Sequence, residues 1–365
     1  MTTALFSPLT IRDVTFRNRL WVSPMCQYSC EAQDGVPTDW HLVHLGSFAR
    51  GGAGLVVAEA SGIAPDGRIT PWCAGIWDGE QREAWRRVVD FIHGQGAAAG
   101  IQLAHAGRKA STHREWSGRG SVAPDAGGWE TVAPSPIAFT GYNPPRELTN
   151  SEIEALPHAW AASARLAVDA GFDVLEIHAA HGYLLHQFLS PLSNVRTDEW
   201  GGSLERRARL LLDVVRAVRA EVGEGVPLFV RLSATDWAEP EGWTIEQTVQ
   251  VSAWAREAGA DLVDVSSGGL VTGVHIPTGP GYQVPFASAV RTGATMPTGA
   301  VGQIVGAHQA DAIIASGDAD AVFVGREFLR DPHLPLRMAY ELGEDLAYWP
   351  QQYARGAFEH RPDVD

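Results

Sequence analysis

Eight short apolar runs alternate with amphipathic, helix-like segments along almost the whole of this 365-residue chain, and few folds accept that alternation. The predicted strands are Arg19–Ser23, Gly54–Glu59, Gly100–Leu103, Asp173–Ile177, Pro227–Leu232, Asp261–Val265, Pro297–Val301 and Ala321–Val324. Helical periodicity predicts Glu80–Gln95, Ser151–Ala170, Leu204–Val222, Thr244–Ala258 and Val301–Ser316, with a further helix around Trp40–Leu45. Gly171, Gly259 and Gly317 stand where a helix closes in the left-handed conformation before the next strand. Strand followed by helix, eight times over, predicts an α/β fold of the (β/α)8 TIM barrel type. The rival, a doubly wound sheet, should open on a Gly-x-Gly-x-x-Gly turn, which is missing. Residues 104–148, rich in Gly, Pro, Ser and Trp, break the alternation after strand three and are expected to form a long capping loop.

Composition narrows the partners. The chain is 45% hydrophobic, with a net charge of -15 and a single lysine, Lys109. A phosphate backbone needs a dense basic face, so no nucleic acid or anionic membrane partner is expected. No apolar run is long enough to span a bilayer, and the opening Met1-Thr-Thr-Ala-Leu-Phe lacks the pattern of a signal peptide. The three cysteines, Cys26, Cys30 and Cys73, are too few for a disulfide framework and match no structural zinc spacing. A cytoplasmic location is expected.

Barrel active sites lie beyond the C-terminal ends of the strands. The residues there are Cys26, Ala60, Gln102, His178, Arg231, Ser266, Gly302 and Arg326. Gly302 and Gly325 follow the last two strands, where barrels often hold a phosphate, and Arg326 adds a bidentate cation. Ser23-Pro24-Met25-Cys26 interrupts the first strand and leaves backbone donors and a thiol at the mouth. Gln102 can donate and accept at once, and Arg231 is a permanent cation. Together they suit a flat, polar, phosphorylated ring. His178, His181 and Tyr183 follow strand four, two N–H donors and a weak acid able to hold an oxygen and deliver a proton. Glu176 is expected on the face of the strand opposite His178, which leaves Glu176, His178 and His181 a weak metal set; a metal-dependent barrel hydrolase is the alternative reading. Lys109, in a loop, is a poor match to a Schiff-base lysine, and His41 and His44 read as packing or capping groups.

The ordered series Ser23-Pro24-Met25-Cys26-Gln27-Tyr28, Ile101-Gln102-Leu103-Ala104-His105-Ala106-Gly107-Arg108-Lys109, His178-Ala179-Ala180-His181-Gly182-Tyr183, Ser193-Asn194-Val195-Arg196-Thr197-Asp198 and Val324-Gly325-Arg326 resembles the Old Yellow Enzyme family of flavin ene-reductases, and closely its bacterial thermophilic-like class. The resemblance covers nearly the whole chain and implies one FMN-binding barrel domain over 1–365, with no metal. It implies that Ser23, Pro24, Met25, Cys26, Ala60, Gln102, Arg231, Gly302, Gly325 and Arg326 hold FMN, Cys26 tuning its potential. Tyr28, His178 and His181 would line the substrate pocket, with Tyr183 as proton donor. NADPH or NADH would reduce the flavin, which passes hydride to the β-carbon of α,β-unsaturated carbonyl or nitro compounds. The C-terminal segment, about 340–365, would lie at a subunit interface of a homodimer or homotetramer, with Arg355 reaching a neighbouring site. Relatives in the xenobiotic-reductase branch carry tryptophan at the positions of Val301 and Gly356; this chain does not, which implies a roomier pocket.

Overall fold

Eight parallel strands close into a barrel in the computed structural model, which describes residues 3–358. The strands are β1 (Leu20–Val22), β2 (Leu55–Gly62), β3 (Ala98–Ala104), β4 (Val174–Ala179), β5 (Leu228–Ser233), β6 (Leu262–Ser266), β7 (Thr298–Ala300) and β8 (Ala321–Val324). Closure comes from β8 pairing with β1, Val322 against Leu20 and Val324 against Val22. All eight predicted strands are present. Their apolar runs face helices outside and a filled barrel inside, so they need no polar face.

The helices packed around the barrel include α1 (Asp39–Arg50), α2 (Gly79–Gly94), α3 (Asn150–Ala170), α4 (Leu184–Leu189), α5 (Leu204–Val222), α6 (Ile245–Ala258), α7 (Val284–Gly293), α8 (Ala307–Ala315), α9 (Arg326–Arg330) and α10 (Leu334–Glu341). Their ends are chemically marked. Thr149 and Glu152 form a capping box on α3, and Thr38 with His41 does the same on α1. Gly171 and Gly259 close α3 and α6 at φ +102° and +114°. The predicted helix from Val301 begins only at Ala307, because Gly302 and Gln303 take φ +119° and +51°, which no right-handed helix accepts.

Inside, side chains stack in tiers. The floor is apolar: Val174, Phe229, Leu262 and Phe323 surround Trp21, whose ring lies 5.3 Å from Phe323 and 5.8 Å from Phe229. An N-terminal hairpin, Leu9–Ile11 with Val14–Phe16, plugs this end, Phe16 lying 4.6 Å from Trp21. The next tier is polar and buried: Gln102, Glu176, Arg231 and Asp264, from β3 to β6. This corrects the expectation for Glu176. Side chains alternate with a period of two, so Glu176 and His178 share the inner face, one tier apart.

The 104–148 segment holds two short 3-10 turns and the paired strands Val132–Ala133 and Arg146–Glu147. It reaches the loops after β4 and β6. Arg108 donates to Leu270 O at 2.8 Å, and Lys109 to His181 O at 2.8 Å and Gly269 O at 3.0 Å. No helix among the described residues is long and apolar enough to cross a membrane.

Candidate active site

A cavity of about 490 Å³ opens at the C-terminal ends of the strands. Ser23, Pro24, Met25, Cys26, Ala60, Gln102, His178, His181, Tyr183, Arg231, Gly302, Gly325 and Arg326 all line it, so the predicted residues from seven different chain segments converge. Gln303, Ile304, Val305 and Arg330 line it too, although they had no predicted role. Tyr28 lies beside the cavity and packs with Cys26 and Tyr183 against one small apolar cluster. Arg355 is exposed on the C-terminal 3-10 turn Gln351–Gly356 and does not line this chain's cavity.

The histidines stand at the top of the barrel. The rings of His178 and His181 are 5.3 Å apart, and that of Tyr183 lies 4.9 Å from His178. Burial, and then the charge of Arg231, lower both imidazoles well below their ordinary value. Each is therefore neutral near pH 7 and carries one N–H. Burial raises the Tyr183 phenol well above its ordinary value, so its proton is held until a base develops beside it. Burial likewise raises the Cys26 thiol.

The supports of this trio come from distant strands. His181 has φ +57° and is held there by three groups. Its backbone N–H donates to Ser233 Oγ at 3.0 Å, its Nε2 meets Ser266 Oγ at 2.7 Å, and its carbonyl accepts from Lys109. His186, on α4, accepts the Gly182 N–H at 2.9 Å through Nδ1 and contacts Asp236 at 3.0 Å through Nε2. The Lys109 ammonium also lies 5.0 Å over the Tyr183 ring, and burial, then Arg108, lower its pKa to about 8. A lysine tied to two carbonyls serves this turn as a clamp. His105 is likewise internal, stacking on Trp160 and accepting the Gly107 N–H. Among the described residues, no group of three or more His, Cys, Asp or Glu side chains could hold a metal ion.

The two glycines at the opposite end of the cavity differ. Gly302 needs its positive φ, and a Cβ there would meet Gln283 at 2.7 Å, so it is a turn glycine. Gly325 has an ordinary φ of -106°, and a Cβ there would meet only Met25 Sδ, at 3.3 Å, and other atoms more loosely.

A family model described as the NADH:flavin oxidoreductase / NADH oxidase family matches residues 4–345. The chain belongs to this family. Among its flavin oxidoreductase relatives, the NADPH dehydrogenase of Geobacillus thermodenitrificans is 48% identical over 357 residues, covering 98% of this chain and 99% of that one. An NADH:flavin oxidoreductase of Gibberella zeae is 47% identical over 362 residues, 94% of this chain and 87% of its own. Among solved structures, morphinone reductase superposes with a TM-score of 0.77 at 29% identity, covering 94% of this chain and 91% of that one. An old yellow enzyme homologue from Zymomonas mobilis gives 0.76 at 30%, covering 97% and 98%. A 2-naphthoyl-CoA reductase gives 0.85 at 28%, over 93% of this chain, which spans about half (52%) of that longer protein. The resemblance to Old Yellow Enzymes and the barrel fold are thus borne out, and the protein is an NAD(P)H:flavin oxidoreductase with FMN as cofactor.

The cavity fits that cofactor on its own chemistry. Arg326 lines it with no ion pair or hydrogen bond among the described residues, a cation left for a phosphate. Ser23 Oγ and His178 Nδ1 are buried with no partner, and the Arg231 guanidinium contacts Asp264 at 3.0 Å without hydrogen-bond alignment. Unpaired buried polar atoms are costly, and polar ligand groups would relieve them.

Proposed function

We propose that this flavin oxidoreductase is an ene-reductase acting on small activated alkenes. The observation that carries the reading is the joint placement of His178, His181 and Tyr183 over the cavity that Gln102, Arg231 and Arg326 also line. FMN, when bound, supplies two-electron transfer from NADPH or NADH to the β-carbon of the alkene. Arg326, with Gly325, would hold the phosphate, Gln102 and Arg231 would bind the polar edge of the ring, and Ser23 to Cys26 and Ala60 would pack along it. Neutral His178 and His181 donate to the carbonyl or nitro oxygen of the substrate and stabilise negative charge as it develops there. Tyr183, protonated by virtue of its burial, gives its proton to the α-carbon. Cys26 would lie against the ring system, and Tyr28 would border the substrate.

Arg355 lies on a surface segment that also bears Tyr353 and Phe358, both exposed aromatics. This supports a role for the C-terminal segment at a subunit interface, with Arg355 entering a neighbour's site in a dimer or tetramer; residues 359–365 lie outside the described part. Val301, small at the cavity wall, favours bulkier alkenes than a tryptophan there would admit. Purified protein given FMN and NADPH without oxygen should reduce 2-cyclohexen-1-one. A flavin-loaded protein that oxidises NADPH yet leaves cyclic enones and nitroalkenes untouched would overturn the reading.

A further inference from the structure

The polar tier beneath the cavity holds two acids that the proposed reaction does not use. Glu176 and Asp264 are both wholly buried inside the barrel, with one cation, Arg231, between their strands. Gln102 pairs with Glu176 across β3 and β4, and its Nε2 donates to Glu176 Oε1 at 2.6 Å. That bond commits the amide nitrogen to Glu176 and leaves the carboxamide oxygen for the cavity that Gln102 lines. Glu176 Oε2 and both Asp264 oxygens have no hydrogen-bond partner. Two carboxylates facing one guanidinium in an apolar barrel cannot both ionise cheaply. The remaining surroundings of the tier are the aromatic floor below and the neutral His178 above.

We propose that Glu176 is a positioning residue for the cofactor, fixing the Gln102 carboxamide with its oxygen toward the ring and holding a proton whose loss places a negative charge directly beneath the FMN site. The inference rests on the flavin reading of the cavity. The pyrimidine edge of an isoalloxazine offers one N–H between two carbonyls. A carboxamide oxygen beside a guanidinium matches that edge only while the amide is kept from turning over. Burial, and then the charge of Asp264, push Glu176 up to about 8, against the opposing pull of Arg231 and Gln102. Asp264 is raised less, by burial against the opposing pull of Arg231, so of the two acids Glu176 keeps its proton to the higher pH. Below that point the acid is neutral; above it the carboxylate repels the carbonyl oxygens of the ring's pyrimidine edge.

The test is FMN affinity, read by quenching of flavin fluorescence, across pH about 6 to about 9.5, a range that brackets the raised carboxyl. Wild-type affinity should fall through a step near 8, with a limiting slope of about tenfold per pH unit for one linked proton. Glu176→Gln keeps an acceptor for Gln102 but cannot ionise, and should bind FMN without the step. Glu176→Leu removes the acceptor and should weaken FMN about fivefold relative to wild type below the step, the worth of one net hydrogen bond, with an affinity that does not change through the step. Asp264→Asn removes the charge that raises Glu176 and should move the step to lower pH, which decides the matter if neither Glu176 variant folds. A wild type with no step, a step that survives Glu176→Gln, or one unmoved by Asp264→Asn overturns the inference and leaves the flavin reading intact. A wild-type protein that takes up no FMN overturns both.

Discussion

Gly182 sits between His181 and Tyr183, and its replacement by alanine separates catalysis from cofactor binding. Its φ is +74°, a conformation that costs an alanine about 1–2 kcal/mol. A Cβ there would lie 2.4 Å from Gly269 O and 2.8 Å from Leu270 Cα, both backbone atoms that cannot rotate aside. Ordinary contact begins near 3.4 Å, so the turns after β4 and β6 must part by about 1 Å. Overpacking of that kind adds about 1–3 kcal/mol. The same movement pulls apart the His181 and Gly269 carbonyls that Lys109 bridges, so the strain falls on the residues meant to hold substrate oxygen. We expect Gly182→Ala to lose about 2–5 kcal/mol in urea unfolding. Displacement of reacting groups by about 1 Å should also cost about 100-fold in enone turnover. FMN affinity should be retained, because Gln102, Arg231 and Arg326 lie on other segments. An alanine variant within about 0.5 kcal/mol of wild type, the usual margin for a harmless substitution, and with full enone turnover would refute the tight contact.

Tyr183→Phe should slow alkene reduction by about 10²–10⁴-fold while leaving the NADPH-driven bleaching of bound FMN unchanged in stopped flow; equal loss in both halves would remove Tyr183 as the proton donor. Replacing both His178 and His181 by alanine should cripple turnover of cyclohexenone-like substrates, and unchanged rates would reject their role. Burial lowers His44 to about 4 from its ordinary 6.5, so the unfolded chain takes the proton first. Its share of stability is present above 6.5 and lost as pH falls toward 4, and His44→Leu should flatten that part of the denaturation profile. Gly171→Ala should cost about 1–2 kcal/mol in chemical unfolding, because the cap has φ +102° and a Cβ would press Val89 at 3.2 Å.

The barrel was legible because the apolar runs alternate with helical patterns, three of which end in glycine, and Gly171, Gly259 and Gly317 all take positive φ as their position implied. The cavity lining was legible because strand ends are local in sequence. What stayed hidden depends on partners far apart in the chain. Lys109 meets a carbonyl 160 positions away at Gly269, and His181 meets Ser266 85 positions on. No spacing rule links such pairs. The start of α8 was misplaced because apolar periodicity runs straight through Gly302 and Gln303, whereas their backbone turns the wrong way. The short α4 gave no periodic signal at six residues, yet its His186 supports the turn between His181 and Tyr183.

The hairpin of Leu9–Ile11 and Val14–Phe16 stoppers the barrel's foot with Phe16 against Trp21. With the packed floor around Trp21 above it, the cavity has no second way out through the barrel. On the proposed ene-reductase reading, electron donor and electron acceptor would reach the cofactor through the same mouth, at the C-terminal ends of the strands.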